Sequence, residues 1–242
     1  MRKTYSVCLG RTPCGTLGLE RTRGASRAVF AYAADWLEGP MAFALGPDLP
    51  LERSAVTAAS AAGLFGCFRD CTPDRWGRQL MQRREILRAA GEGRTPRTLQ
   101  DADFFLEAGD AIRQGALRAS PDGGETFLAA DDRSFPQGVP PLTALPVLVR
   151  AVRRVQERCG SAEELLLVAA AGAALGGARP KVCVRGRNGE LCIAKLSGIR
   201  DSRDMPLWEY VNLRLAARVG LNVPAAHLLR GARGQRPARA PL

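Results

Sequence analysis

Lysine is scarce in this chain. Its 242 residues hold three, Lys3, Lys181 and Lys195, against thirty-two arginines. So tilted a composition implies that positions needing only positive charge have gone to Arg. A retained ammonium then marks a candidate site for a compact point charge rather than a planar fork. Histidine is represented by His227 alone. Cys67 and Cys71 stand four apart, but no second Cys/His pair completes a zinc site. No Asp or Glu follows Glu209, which removes carboxylate chemistry from the last part of the chain. No apolar run reaches transmembrane length, and the start, Met1-Arg2-Lys3-Thr4-Tyr5, does not read as a signal peptide. A cytoplasmic protein with no membrane partner is expected.

What is present is the composition of a globular protein, 46% apolar and 24% charged. The length allows one large domain or two small ones with a buried core. The seven cysteines are odd in number and irregularly spaced, as expected of small buried or half-buried thiols in a reducing compartment. Net charge +11 would attract acidic surfaces, but the basic residues are scattered. DNA is therefore expected to bind only indirectly or non-specifically.

The pattern along the chain is α+β. Residues 5–9, 15–19 and 28–32 read as short strands, and 53–62 as a short helix or tight loop. Thr72 before Pro73 offers an N-cap with Pro at the first helical position, leading into a helix carrying Leu80, Arg83, Arg84 and Leu87. A second helix is expected over 99–107. Residues 119–141, rich in Gly, Pro, Asp and Ser, read as a linker or long loop between a first subdomain, 1–118, and a second, 142–230. In the second, a helix over about 145–158 carries Leu145, Leu148, Val152 and Val155 on one face. Ser161 and Glu164 have capping-box spacing. Asp204, Pro206 and Gly220 bracket a helix with a stripe of Leu207, Val211, Leu215 and Val219, and 221–229 could form another strand. Residues 231–242 read as a disordered tail.

Two of the three lysines border one hairpin. Gly176-Gly177-Ala178-Arg179-Pro180-Lys181 leads into Val182-Cys183-Val184, a turn at 186–189, and Leu191-Cys192-Ile193-Ala194-Lys195. If the turn has two or four residues, Val182 and Val184 share a face with Ile193 and Lys195. Such an apolar shelf could stack a purine while Lys195 pins its phosphates, with the glycines letting backbone N–H groups approach phosphoryl oxygens. The alternative is a half-buried hairpin with Lys195 extended over its own stem. Glu209, fourteen residues on, could pair with Lys195 as a helix glutamate pairs with a strand lysine in protein kinases, or could merely compensate a helix dipole.

Several pieces in order carry a family resemblance: Gly63-Leu64-Phe65, then Pro73-Asp74-Arg75-Trp76-Gly77-Arg78, and Gly115-Ala116-Leu117-Arg118. Further on come Leu175 to Lys181, Ile193-Ala194-Lys195, Trp208-Glu209 and Leu215 to Pro224. The chain resembles the HipA family, kinase toxins of bacterial toxin–antitoxin pairs. The resemblance implies a β-rich N-terminal subdomain with helices that can contact a HipB-like antitoxin. It also implies a protein-kinase-like N-lobe, a β-hairpin plus helix, that binds ATP with Mg²⁺. Carried over by position, Gly176, Gly177, Ala178 and Lys181 form the loop and Lys195 is the phosphate lysine; Val182 of the shelf and Glu209 of the helix complete the expected nucleotide site. The phosphoryl acceptor would be a protein such as an aminoacyl-tRNA synthetase.

Two departures shape the expectation. A kinase needs an Asp near the acceptor hydroxyl and acidic or amide oxygens for Mg²⁺; after Glu209 there is no Asp or Glu, and the polar candidates that remain include Asn212, Asn222, His227 and arginines. The chain is accordingly expected to be a fragment whose C-lobe is missing, catalytically inactive and doubtful in Mg²⁺ binding. The non-catalytic alternative is an antitoxin-binding or weak nucleotide-binding module. Family members also commonly carry Ser or Thr just before the Leu-Gly-Gly segment, where phosphorylation is associated with shutting the kinase off; this chain has Ala173-Ala174.

Overall fold

The computed structural model describes residues 2–22, 25–59, 63–129, 138–229 and 239–241. Among these, the strands are β1 (Arg2–Leu9), β2 (Thr12–Thr22), β3 (Ala25–Tyr32), β4 (Val56–Thr57), β5 (Leu117–Ser120), β6 (Lys181–Arg185), β7 (Leu191–Lys195), β8 (Ala226–Leu228) and β9 (Arg239–Pro241). The helices are α1 (Ala34–Glu38), α2 (Gly66–Asp70), α3 (Arg75–Gly91), α4 (Asp101–Glu107), α5 (Leu145–Gln156), α6 (Ala162–Gly172) and α7 (Met205–Arg218). The α+β class expected from the sequence is the class observed. The chain divides into two compact units, Met1–Pro73 with Arg97–Asp132, and Asp74–Pro96 with Arg133–Leu242.

The first unit is built on an antiparallel sheet of order β4-β3-β2-β1-β5. Its first three strands lie where apolar alternation places them, each longer than the pattern alone indicates. The segment read as a short helix or tight loop contributes β4, with Val56 opposite Phe30; residues 60–62 lie outside the described residues. The core is aromatic. Phe30 packs on Phe68 at 5.7 Å between ring centroids, and Phe68 on Phe105 at 5.1 Å. Gly15 makes room for this cluster, since a Cβ there would stand 2.4 Å from the Phe30 ring.

The units part between Asp132 and Arg133, inside the expected 119–141, but the second unit also takes in α3, which lay within the first subdomain, 1–118, on the sequence reading. Trp76, Leu80, Met81 and Ala89 form its buried face, and α3 packs on α6. Helical periodicity showed that α3 has a buried side, but periodicity carries no address for its partner. The start of α3 also differs from expectation. Thr72 closes α2 by donating its hydroxyl to the Arg69 carbonyl at 2.7 Å, and the residue preceding the helix is Asp74. Within the supposed linker, β5 extends to Ser120, and residues 130–137 lie outside the described residues.

The remaining helices follow their sequence signals closely. The α5 face of Leu145, Leu148, Val152 and Val155 is buried. Ser161 caps α6: its Oγ accepts from Glu164 N at 3.2 Å, and Glu164 accepts from Ser161 N at 2.8 Å. Asp204 accepts from Leu207 N at 3.0 Å and starts α7. The α7 stripe, however, is not core: Leu215 is 54% and Val219 75% exposed, with Trp208 at 54%. The second sheet has order β6-β7-β9-β8. Its β9 strand occupies part of the segment read as a disordered tail, of which residues 231–238 lie outside the described residues.

Candidate functional site

The hairpin β6–β7 sets the geometry of the site, and its turn sets the register. Gly186 N donates to Glu190 O at 2.8 Å, and Gly189, at φ +85°, closes a three-residue loop over 187–189. A three-residue loop ending in a left-handed residue is a common hairpin closure. An odd loop reverses the parity that a two- or four-residue turn would give. Lys181 therefore stands directly opposite Lys195, Cys183 opposite Ile193, and Val182 opposite Ala194. Directly opposed residues share a face, so the expected shelf is corrected. Val182 and Val184 lie with Ala194 and Cys192 on the face away from Lys195, and all four are fully buried. Val182 is thereby removed from the nucleotide shelf and assigned to packing.

The face that carries Lys195 carries Lys181 as well. Each ammonium has an oxygen partner: Lys181 Nζ donates to the Gly176 carbonyl, and Lys195 Nζ to Glu209 Oε1 on α7. The anticipated Lys195–Glu209 pair is thus formed, with both side chains more than a third exposed to solvent. Burial holds the Lys181 pKa below the ordinary lysine value, the facing Lys195 lowers it further, and Asp74 and Glu209 oppose the shift.

The glycine loop is shaped by close approach. Gly177 has φ +86°, and a Cβ on it would stand 2.3 Å from Lys181 Nζ. At the end of α6, a Cβ on Gly172 would lie 2.6 Å from the Lys181 carbonyl. Ala173 and Ala174 are buried where α6 ends. Ala178 and Arg179 are exposed at the loop tip, with Arg179 paired to Asp201 at 2.6 Å.

Two residues at the start of α3 complete the site and were missed in the sequence. Asp74 Oδ2 accepts from Gly177 N at 2.6 Å. Trp76 N donates to the Gly177 carbonyl, and Trp76 Nε1 to the Lys181 carbonyl, each at 3.2 Å. These bonds span roughly a hundred positions, and no local pattern announces such a separation. The only available signal was that Pro73 to Arg78 belonged to the family-like pieces.

A cavity of about 510 Å³ lies elsewhere, between α5 and residues 196–199. Two of its cations, Arg153 and Arg154, are paired with Glu157 and Glu164 at 2.9 Å each, and neither lysine lines it. Among the described residues no group of three or more His, Cys, Asp or Glu comes together as a metal site. Among the described residues no helix is long and apolar enough to cross a membrane.

Residues 5–99 match the HipA N-terminal domain, and residues 173–238 match the HipA-like C-terminal domain. The second match begins at Ala173 and takes in the glycine loop, both lysines and Glu209. A search of curated proteins finds no match. With both family domains present in order, and the loop, hairpin and helix of the second forming one charged site, the chain belongs to the HipA family of toxin–antitoxin toxins.

Proposed function

We infer that this site binds the phosphates of ATP, and that the second unit corresponds to the nucleotide-binding lobe of a HipA-type Ser/Thr protein kinase. The observation that carries the reading is the joint placement of Lys181 and Lys195 on one face of the hairpin, beside a glycine at positive φ. Two ammonium groups set beside a backbone N–H at a glycine turn match the needs of a polyphosphate. Glu209 would hold Lys195 in position, as a helix glutamate does for the strand lysine of kinases. Gly176, Gly177 and Ala178 would form the loop over the phosphates.

The donor set does not extend to phosphoryl transfer. Mg²⁺ at a nucleotide is usually held by carboxylates together with phosphate, and the residues following Glu209 include no Asp or Glu. No residue of this chain is therefore assigned to Mg²⁺ or to a catalytic base, and the proposal is nucleotide binding without turnover by these 242 residues. The HipB-like antitoxin and the protein acceptor belong to the family resemblance and enter as parts of the same reading.

Calorimetric titration with ATP tests the proposal. Binding is expected with the intact chain, and its loss in Lys195→Ala and in Lys181→Ala. Equal ATP affinity in all three proteins, or steady phosphorylation of an acceptor protein by the purified chain, would refute it.

A further inference from the structure

Asp74 occupies an unusual position for a residue that precedes a helix. An aspartate there ordinarily accepts from an amide of its own first turn. The Asp74 carboxylate makes no such bond. It reaches instead to Gly177 N, at 2.6 Å, in the glycine loop of the same unit. The bond is exposed to solvent. The adjoining Trp76 grips the same loop through the Gly177 and Lys181 carbonyls.

The charges around the loop are already balanced. Asp74 and Glu209 both act on Lys181 electrostatically, and Glu209 is bonded to Lys195. The Gly177 N–H is the donor that a glycine loop offers to a phosphoryl oxygen, and an anionic oxygen from the protein is already on it.

We propose that Asp74 is a tethered anion that occupies the phosphate donor of the loop in the empty protein, and that an incoming phosphate must displace it from Gly177. The proposal rests on the phosphate reading of this site. Asp74 is on this account a positioning residue with a regulatory consequence. It keeps the loop ordered between Asp74 and Trp76 when no ligand is present, and it sets a threshold that weak anions do not cross. Trp76, whose two bonds go to carbonyls, does not compete with an anion and retains its hold on the loop as ligand enters.

The test uses the full chain, inorganic tripolyphosphate as probe, and two variants. In Asp74→Asn the side-chain oxygen can still accept from Gly177 N while the charge is gone. Tripolyphosphate should bind this variant about tenfold more tightly, the size expected on removing one carboxylate beside an exposed anion site. Lys195→Ala in the Asp74→Asn background should abolish the gain. In Asp74→Ala, hydrogen exchange of the Gly177 amide, followed by NMR without ligand, should be faster than in the unaltered chain. Equal or weaker tripolyphosphate binding by Asp74→Asn overturns the competition, since a merely structural aspartate would leave affinity unchanged or lowered. Unchanged exchange at Gly177 overturns the proposal while leaving wild-type phosphate binding intact. If none of these proteins binds tripolyphosphate or ATP, the phosphate reading itself falls, and the displacement falls with it.

Discussion

Lys181 and Lys195 face one another directly across β6 and β7. Like charges at directly opposed positions of a strand pair repel, so a site that keeps both needs counter-charges. Glu209 and Asp74 stand near enough to supply them. This arrangement makes the titration of Lys181 a direct report on its neighbour. Replacing Lys195 by Gln should move the Lys181 pKa upward, toward the ordinary 10.5, because one of the two lowering influences is removed. The expected readout is the pH-dependent ¹³Cε shift of Lys181.

The same shift has a sign in stability and in binding. A lysine whose pKa is lowered on folding holds its proton less firmly in the native than in the unfolded chain. Its contribution is unfavourable at neutral pH and is relieved as pH rises through the native pKa toward 10.5. Anion affinity should change in the opposite sense. Binding of tripolyphosphate should weaken on alkaline titration before an ordinary lysine would lose its charge, as calorimetry across that range would register.

Gly177→Ala should impair the loop more than the fold. A left-handed conformation costs a non-glycine residue about 1–2 kcal/mol, and the added methyl would meet the Lys181 ammonium. Thermal unfolding should show a loss of that order, with phosphate binding abolished. Retained binding would mean that Lys181 can withdraw from the loop without consequence.

Phe68→Ala addresses the first unit alone. Phe68 is fully buried and joins Phe30, Phe65 and Phe105 in one ring cluster. Truncation of such a side chain costs about 3–5 kcal/mol, which denaturant unfolding would measure. By contrast, Leu215→Glu on α7 and Val219→Glu just past its end alter side chains more than half exposed, and surface changes of this kind stay within about 0.5 kcal/mol.

The thiols should separate sharply in reactivity. Burial pushes Cys14 and Cys67 up to about 12 and Cys183 to about 11, and only thiolate reacts readily. Cys159 is exposed. Brief alkylation of the folded chain at neutral pH, read by mass spectrometry, should therefore mark Cys159 first.

Local signals were readable where the physics is local. The Ser161 and Asp204 caps, the buried α5 face and the three N-terminal strands each depend on neighbours within a few positions, and each lies where the residues place it. The Lys195–Glu209 pair was reached through the likeness to protein kinases, since spacing alone left dipole compensation by Glu209 as the alternative. Three features were not legible. The face of Val182 depended on whether the turn held an odd or even number of residues, a difference of one position that exchanges both faces. The allegiance of α3 depended on which surface Trp76 and Leu80 would meet. The Asp74–Gly177 bond joined segments about a hundred residues apart, and in the sequence Asp74 reads as an ordinary acidic residue before a helix.

The scarcity of lysine permits one decisive assay of the phosphate site. An acyl-phosphate derivative of ATP transfers its acyl group to whichever lysine lies beside the bound phosphates, and mass spectrometry assigns the product among Lys3, Lys181 and Lys195. The account predicts acylation at Lys181 or Lys195 that excess ATP suppresses, with exposed Lys3 showing only ATP-insensitive background. Uniform labelling of all three, unaffected by ATP, would contradict it.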